Sequence, residues 1–300
     1  ALQLICGLGR GIIDHVDCRD TVTFTGSAST GKILKSLPLI TEESVSFNLE
    51  ADSLNASILG KHAVPGTIEY DLFIKECVKE ITIKTGQKCT AIRRIIVPED
   101  LIDDVEKSIA ERLSKTVIGD PSKEGVRMGA LATKTQVDRV RENVDLLAKS
   151  QAIVFGDLDG FDVIGGDKKL GAFFPPVLFR NNDPFNKTDC HDIEAFGPVS
   201  TIMPYKDIND AVTLAKMGKG SLVSSIVTPD DKEAREYVVG AASMHGRILV
   251  LNKDCAKEST GHGSPMPLLT HGGPGRAGGG EEMGGKRGVL HYLQRTAIQG

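Results

Sequence analysis

The 300-residue sequence contains no apolar run long enough to cross a bilayer, so no membrane helix is expected. It has no C-x-x-C pair. Its six cysteines, at 6, 18, 77, 89, 190 and 255, are irregularly spaced. Zinc ribbons and disulfide frameworks are therefore poor fits, no metal site is expected, and scattered thiols point to a reducing cytoplasm. No basic cluster stands out, and the net charge is −4 with a pI near 6.0, which argues against a nucleic-acid partner. The opening ALQLICGLGR lacks both an initiator Met and a basic leader. It reads as the middle of a larger protein rather than a signal peptide. Repeats and low-complexity segments are missing too. What remains is an ordinary soluble composition, with 40% hydrophobic and 25% charged residues.

Short β-branched runs alternate with helical patterns. Strands are expected at 21–24, 44–49, 56–60, 94–98, 152–156, 199–204, 222–227 and 247–252. Between several of them lie amphipathic helices. Tyr70, Phe73, Ile74, Cys77 and Ile81 share one face; so do Leu101, Ile102, Val105 and Ile109, and Val137, Val140, Val144 and Leu147. This alternation predicts an α/β fold with mostly parallel sheets. Residues 261–285 hold ten glycines together with Pro265, Pro267 and Pro274. The apolar and charged residues among them, including Met266, Leu268, Leu269, Arg276, Glu281 and Glu282, favour an ordered loop wrapping a site over a linker. The tail from Lys286 alternates as a strand would, with Val289, Tyr292 and Ile298 placed to pair with another chain.

Four stretches carry chemistry. TFTGSASTGKIL (23–34) fits most of a triphosphate-binding loop through Gly26, Gly31 and Lys32, but Ile33 stands where a metal-binding hydroxyl is needed. A glycine turn opening a helix still offers an anion seat; on the glycines alone, phosphate binding and a purely structural turn are equally open. Cys89, in TIKTGQKCTAIRR, follows a helix that Gly86 is placed to terminate at its C′ position. The loop would expose the thiol, and Lys88, Arg93 and Arg94 would favour its thiolate. Glu50 directly follows a strand, where a desolvated acid can serve as a general base. DIEAFGPVS (192–200) sets an acid, an aromatic and Gly-Pro before a strand.

The order of these stretches is more specific than any one of them. F-T-G-S-x-x-x-G, then a strand-end Glu, then G-Q-x-C, then E-x-F-G-P resembles the NAD(P)-dependent aldehyde dehydrogenase superfamily, from about residue 20 to the end. EADSLN, TGQKCTAIRR, AKESTGHGSP and HGGPGRAGGGEE resemble one branch. It comprises the dehydrogenase domain of the bifunctional phenylacetate-degradation protein PaaZ and a dehydrogenase for a dehydroadipyl-CoA semialdehyde. The resemblance implies Cys89 as nucleophile, its N–H as one oxyanion donor, and Glu50 as the base that hydrolyses the thioester. It implies Gly26, Ser27 and Gly31 at the cofactor pyrophosphate, Glu194 at the nicotinamide ribose and Phe196 beside the ring. The branch favours NADP+, with NAD+ as the alternative. Most of the family carries Gly-Gly after the base; here Ala51 and Asp52 follow, as a feature of the branch.

The resemblance further implies three parts: the end of a Rossmann-like cofactor domain at 1–55, an α/β catalytic domain at 56–285 and an oligomerisation strand at 286–300. It implies a homo-oligomer in the cytoplasm, and a hydratase domain following residue 300. It also implies a portion preceding residue 1 with an oxyanion asparagine and a cofactor-reading lysine, so these 300 residues alone are expected to be weakly active or inactive. Three other readings stay in play. They are a CoA-acylating dehydrogenase, which generally lacks the base, a P-loop triphosphatase, which Ile33 opposes, and an inert assembly piece.

Overall fold

A computed structural model describes residues 3–7, 11–266, 268–282 and 285–300. The chain begins with β1 (Thr21–Thr25), α1 (Ala28–Lys35), α2 (Pro38–Glu42) and β2 (Ser46–Glu50). There follow β3 (Asn55–Leu59), α3 (Ile68–Thr82), β4 (Ile92–Pro98), α4 (Ile102–Leu113), α5 (Lys134–Leu147), β5 (Ala152–Phe155) and β6 (Val177–Arg180). Then come α6 (Asp189–Asp192), β7 (Val199–Tyr205), α7 (Ile208–Lys216), β8 (Ser221–Val227), α8 (Asp231–Ala241) and β9 (His245–Leu251). Two short strands, β10 (His271–Gly272) and β11 (Glu281–Glu282), precede α9 (Gly285–His291).

β1 and β2 pair in parallel as a sheet of their own. The main sheet has seven strands in the order β5-β6-β7-β4-β3-β8-β9, parallel throughout except where β5 runs antiparallel to β6. This is the α/β arrangement that the strand–helix alternation predicts. Helices cover both faces, so the strands are apolar on both sides and read as continuous runs. Successive side chains point to opposite faces. Ile58, Ile96, Phe179 and Met203 thus pack with α5, α7 and α8, while Leu59, Ile95, Leu178 and Ile202 pack against α3 and α4. The three helical faces read from the sequence are the faces that pack on this sheet. Side-chain caps start five of the helices: Ser27 on α1, Thr67 on α3, Thr133 on α5, Asp207 on α7 and Asp230 on α8. Each such cap stabilises by about 0.5–2 kcal/mol. No helix of the described residues is long and apolar enough to cross a membrane.

Three local expectations need correction. α3 ends at Thr82, so Gly86 is not its C′ residue. The β-branched run Ile81-Thr82-Ile83 weakens the last turn, and Thr85 Oγ1 donates to Gly129 O at 3.0 Å instead. Lys84, Thr85 and Gly86 then form a left-handed turn with φ of 52°, 55° and 67°. Strand β6 and the two-residue strands β10 and β11 were not expected. The tail is not a strand: α9 occupies its first half, and 293–300 has no regular structure. A helix closes its hydrogen bonds locally, whereas a strand needs a ladder neighbour. Val289, Tyr292 and Ile298 are exposed, and the Tyr292 hydroxyl lies 3.4 Å from Thr23 Oγ1.

The glycine-rich segment is an ordered wrap, as expected, over its described part; Pro267, Met283 and Gly284 lie outside the described residues. Gly280 N donates to Leu49 O at 3.0 Å, Ala51 N to Ala277 O at 3.0 Å, and Asn48 Nδ2 to Glu281 O at 3.2 Å. The wrap thereby clamps the strand that ends in Glu50. Gly278 allows this approach: its φ is 104°, and a Cβ there would meet Leu49 O at 2.4 Å.

Candidate active site

A cleft of about 490 Å³ lies between the small sheet and the main one. Its walls include Gly26 and Ser27 from the β1–α1 turn, Glu50 at the end of β2, Asp52 just after it, and Cys89 from the α3–β4 loop. Glu194 and Phe196 line it as well, as do Gln136, Arg139 and Asn143 from the outer face of α5. Every sequence-expected site residue except Gly31 therefore meets in one place. Gly31 lies on the buried face of α1, where a Cβ would meet Leu49 Cδ1 at 2.6 Å; it is a packing glycine.

At the floor of the cleft stand Cys89 and Glu50, joined by a residue that sequence reasoning missed. His271 Nε2, on β10, lies 4.0 Å from Cys89 Sγ and 3.7 Å from Glu50 Oε2. Glu50 is 6% exposed, and its Oε2 has no hydrogen-bond partner among the described residues. Burial first, then Glu282, pushes the Glu50 carboxyl up to about 7. Burial likewise holds His271 below its ordinary value, so it stands neutral at pH 7. The signal in the sequence was only the histidine opening HGGPGRAGGGEE, 182 positions from Cys89.

The expectation that neighbouring cations favour the Cys89 thiolate is overturned. Lys88 Nζ is spent on Glu80, at 2.9 and 3.2 Å. Arg94 is fully buried and donates to the carbonyls of Leu54, Leu214 and Ala215. Arg93 donates to Gly197 O at 2.6 Å and Gly86 O at 2.8 Å, and its Nε lies 3.4 Å from Glu194 Oε1. With the cations engaged elsewhere, burial and then the Glu50 charge push the Cys89 thiol up to about 12. To act as a nucleophile Cys89 would need a proton acceptor beside it, and Glu50 and His271 are the groups in place.

These engagements position the site. Arg93 ties the turn before Cys89 to the Gly197 turn that follows Glu194 and Phe196. Its guanidinium sits 5.5 Å over the Phe196 ring. Asn55 Nδ2 donates to Cys89 O at 2.8 Å and Ala91 O at 2.9 Å, fixing the Cys89 loop to β3. Glu194 Oε2 accepts from Ser53 N at 3.0 Å. On the opposite wall Ser27 Oγ caps α1 by accepting from Thr30 N at 3.2 Å. Gly26 N donates to Glu50 O at 3.1 Å, so the glycine turn and the acid are held by one backbone link. Arg276 Nη1 donates to His191 O at 3.3 Å, and its Nη2 lies 3.6 Å from Asp52 Oδ2.

The chain is similar to known proteins in both sequence and fold. The sequence profile of the "Aldehyde dehydrogenase family" matches residues 1–298. A 3,4-dehydroadipyl-CoA semialdehyde dehydrogenase of Aromatoleum evansii is 42% identical over 274 residues, 91% of this chain and 53% of its own length. Protein MaoC of Klebsiella aerogenes is 51% identical over 176 residues, 58% of this chain and 50% of its own length. The structure of betaine aldehyde dehydrogenase from Staphylococcus aureus in complex with NAD+ superposes with a TM-score of 0.80 at 23% identity; the match covers 97% of this chain and 54% of that one. The chain thus spans about half the length of the relatives it matches. With the profile running almost from end to end, and a relative above 40% identity across nine-tenths of the residues, the chain belongs to the aldehyde dehydrogenase family.

Proposed function

We propose that this chain carries the nucleophile and base of an NAD(P)-dependent aldehyde dehydrogenase that converts a CoA-linked semialdehyde to the acid. The carrying observation is the unpartnered, buried Glu50 Oε2 beside the Cys89 thiol. A carboxylate with a pKa near neutrality is matched to proton transfer at pH 7. Cys89 Sγ bonds to the aldehyde carbon while its proton passes to the adjacent acceptors, giving a thiohemiacetal whose oxyanion the Cys89 N–H helps to hold. A nicotinamide cofactor held by Gly26, Ser27, Glu194 and Phe196 would supply the hydride acceptor, and Cys89 would then carry the acyl group as a thioester. Glu50 then removes a proton from water, which attacks the thioester, releases the acid and restores the thiol.

The residues suit a dinucleotide in part. Gly26 and Ser27 border the first turn of α1, a favourable place for a pyrophosphate. Glu194 offers a carboxylate to ribose hydroxyls and Phe196 an apolar face to the ring. The family likeness supports a nicotinamide cofactor; NADP+ rather than NAD+ rests on the branch alone.

The CoA-linked substrate rests on the name of the Aromatoleum relative. Glu50 favours hydrolysis over transfer of the acyl group to CoA. The gap between β2 and β3 supports a division of the chain near residue 55. Exposed Leu290, Leu293 and Ile298 support assembly into a homo-oligomer through the tail. A hydratase domain beyond residue 300 and a cytoplasmic location follow the branch. The test is semialdehyde-dependent NADPH formation by these 300 residues beside a longer chain containing them. Activity in the longer chain alone fits the reading; equal turnover in both rejects the dependence on a further portion, and none in either rejects the activity.

A further inference from the structure

We propose that Glu50, Cys89 and His271 form a binding site for a thiophilic divalent cation, Zn2+ foremost, and that its occupancy blocks the nucleophile. The site deepens the dehydrogenase reading by adding a regulator at the same residues, but the binding itself does not depend on that reading. Sγ, Nε2 and a Glu50 oxygen all lie within 4.8 Å of one another. They arrive from three separate elements: the end of β2, the α3–β4 loop and β10. The independent sign of a ligand is Glu50 Oε2, on a side chain only 7% exposed, facing the other two donors with no hydrogen-bond partner among the described residues.

The dimensions suit zinc. Tetrahedral Zn2+ takes sulfur at about 2.3 Å, imidazole at about 2.0–2.1 Å and carboxylate at about 2.0–2.2 Å, so its ligand atoms sit roughly 3.3–3.6 Å apart. The sulfur–nitrogen distance of 4.0 Å and the nitrogen–oxygen distance of 3.7 Å need to close by only a few tenths of an ångström. One thiolate and one carboxylate would neutralise the ion, removing the cost of two adjacent buried negative charges. The thiol proton leaves to solvent as the Zn–S bond forms. Cys89 and Glu50 both line the cleft, so the ion has an entry path and a fourth position open to water. A thiolate bound to zinc no longer attacks an aldehyde. The sulfur ligand selects Zn2+ over Mg2+ and Ca2+, which prefer oxygen.

Co2+ is the probe, because it takes the same site and reports a bound thiolate by charge-transfer absorption. Metal-stripped protein titrated with Co2+ should show one tetrahedral site carrying one thiolate, displaced by Zn2+. Cys89→Ser should abolish the charge-transfer band. His271→Phe should weaken binding at least tenfold, since loss of a mere outer-shell partner already costs about 10–100-fold. Should His271→Phe fail to fold, Glu50→Gln provides the same weakening. No tight site, a band that survives Cys89→Ser, or unchanged affinity in the folded His271 or Glu50 variant overturns the proposal. In whichever chain oxidises the aldehyde, these 300 residues or a longer one containing them, Zn2+ should abolish aldehyde oxidation and EDTA should restore it; bound Zn2+ without inhibition rejects the blocking role. A normal Co2+ spectrum in protein that never oxidises an aldehyde rejects the dehydrogenase reading and leaves the metal site standing.

Discussion

The Asp52 carboxylate accepts a hydrogen bond from the Ala28 N–H at 3.0 Å, so the loop after the candidate base caps the helix expected to seat phosphate. An internal anion thus occupies the positive end of α1, where the proposed cofactor phosphate would also sit, and Arg276 beside it balances the charge. Asp52→Asn keeps an acceptor for Ala28 while removing the like charge. NADP+ should bind about two- to fivefold more tightly, from the roughly 0.3–1 kcal/mol that a charge contributes at a helix end. Fluorescence titration with the reduced cofactor measures this; weaker binding would place the pyrophosphate elsewhere.

Glu50→Gln keeps the shape of the acid and removes the base. Steady-state oxidation should fall by about 10²–10⁴-fold while the first turnover of hydride transfer persists as a burst. Stopped-flow recording of NADPH formation separates the two. Loss of the burst together with the steady state would assign Glu50 to the first half-reaction.

A carboxyl held near 7 has a readable pH signature. As a base, Glu50 must be ionised, so turnover should rise through pH 7 and lose that inflection in Glu50→Gln. Stability runs the other way. The folded state keeps the proton between the ordinary value of 4.5 and about 7, so Glu50's contribution is present at low pH and lost as pH rises through that window. Thermal unfolding at pH 5 and pH 8 should show wild type losing more than Glu50→Gln. Because the Glu50 charge also raises the Cys89 thiol, iodoacetamide should label Cys89 faster in the variant at pH 8. Slower labelling would show that Glu50, rather than His271, is the acceptor that draws off the thiol proton.

Arg93→Met should destabilise the protein by about 3–5 kcal/mol, because it leaves the Glu194 carboxylate buried without its cation. Arg93→Lys keeps a charge but cannot fork across Gly86 O and Gly197 O, so it should fall between the two. Chemical denaturation gives the order. A wild-type midpoint for Arg93→Met would remove Arg93 as the brace between the nucleophile turn and the Glu194–Phe196 turn.

Much of the framework was legible from local pattern. β3, β4, β7 and β8 are covered on both faces, so their side chains are apolar in both directions and stand out as runs. The faces of α3, α4 and α5 repeat at helical spacing for the same reason. β6 escaped notice because four residues after Pro175-Pro176 carry little periodicity; its place is set by β5 and β7 on either side. The tail misled because alternation in sequence predicts a strand only where a ladder neighbour exists.

The sequence by itself determined the order of glycine turn, Glu50, Cys89 and Glu194, and with it the family. Only the tertiary structure decided what those groups are. Lys88, Arg93 and Arg94 stand next to Cys89 in the chain, but Glu80, Glu194 and buried carbonyls claim them in space. His271 stands far away in sequence, yet the Gly278 wrap sets it against both the nucleophile and the acid. Periodicity is a local property and survives in the sequence. Proton affinity is a sum over neighbours and burial, and the neighbours come from segments that meet only in the folded chain.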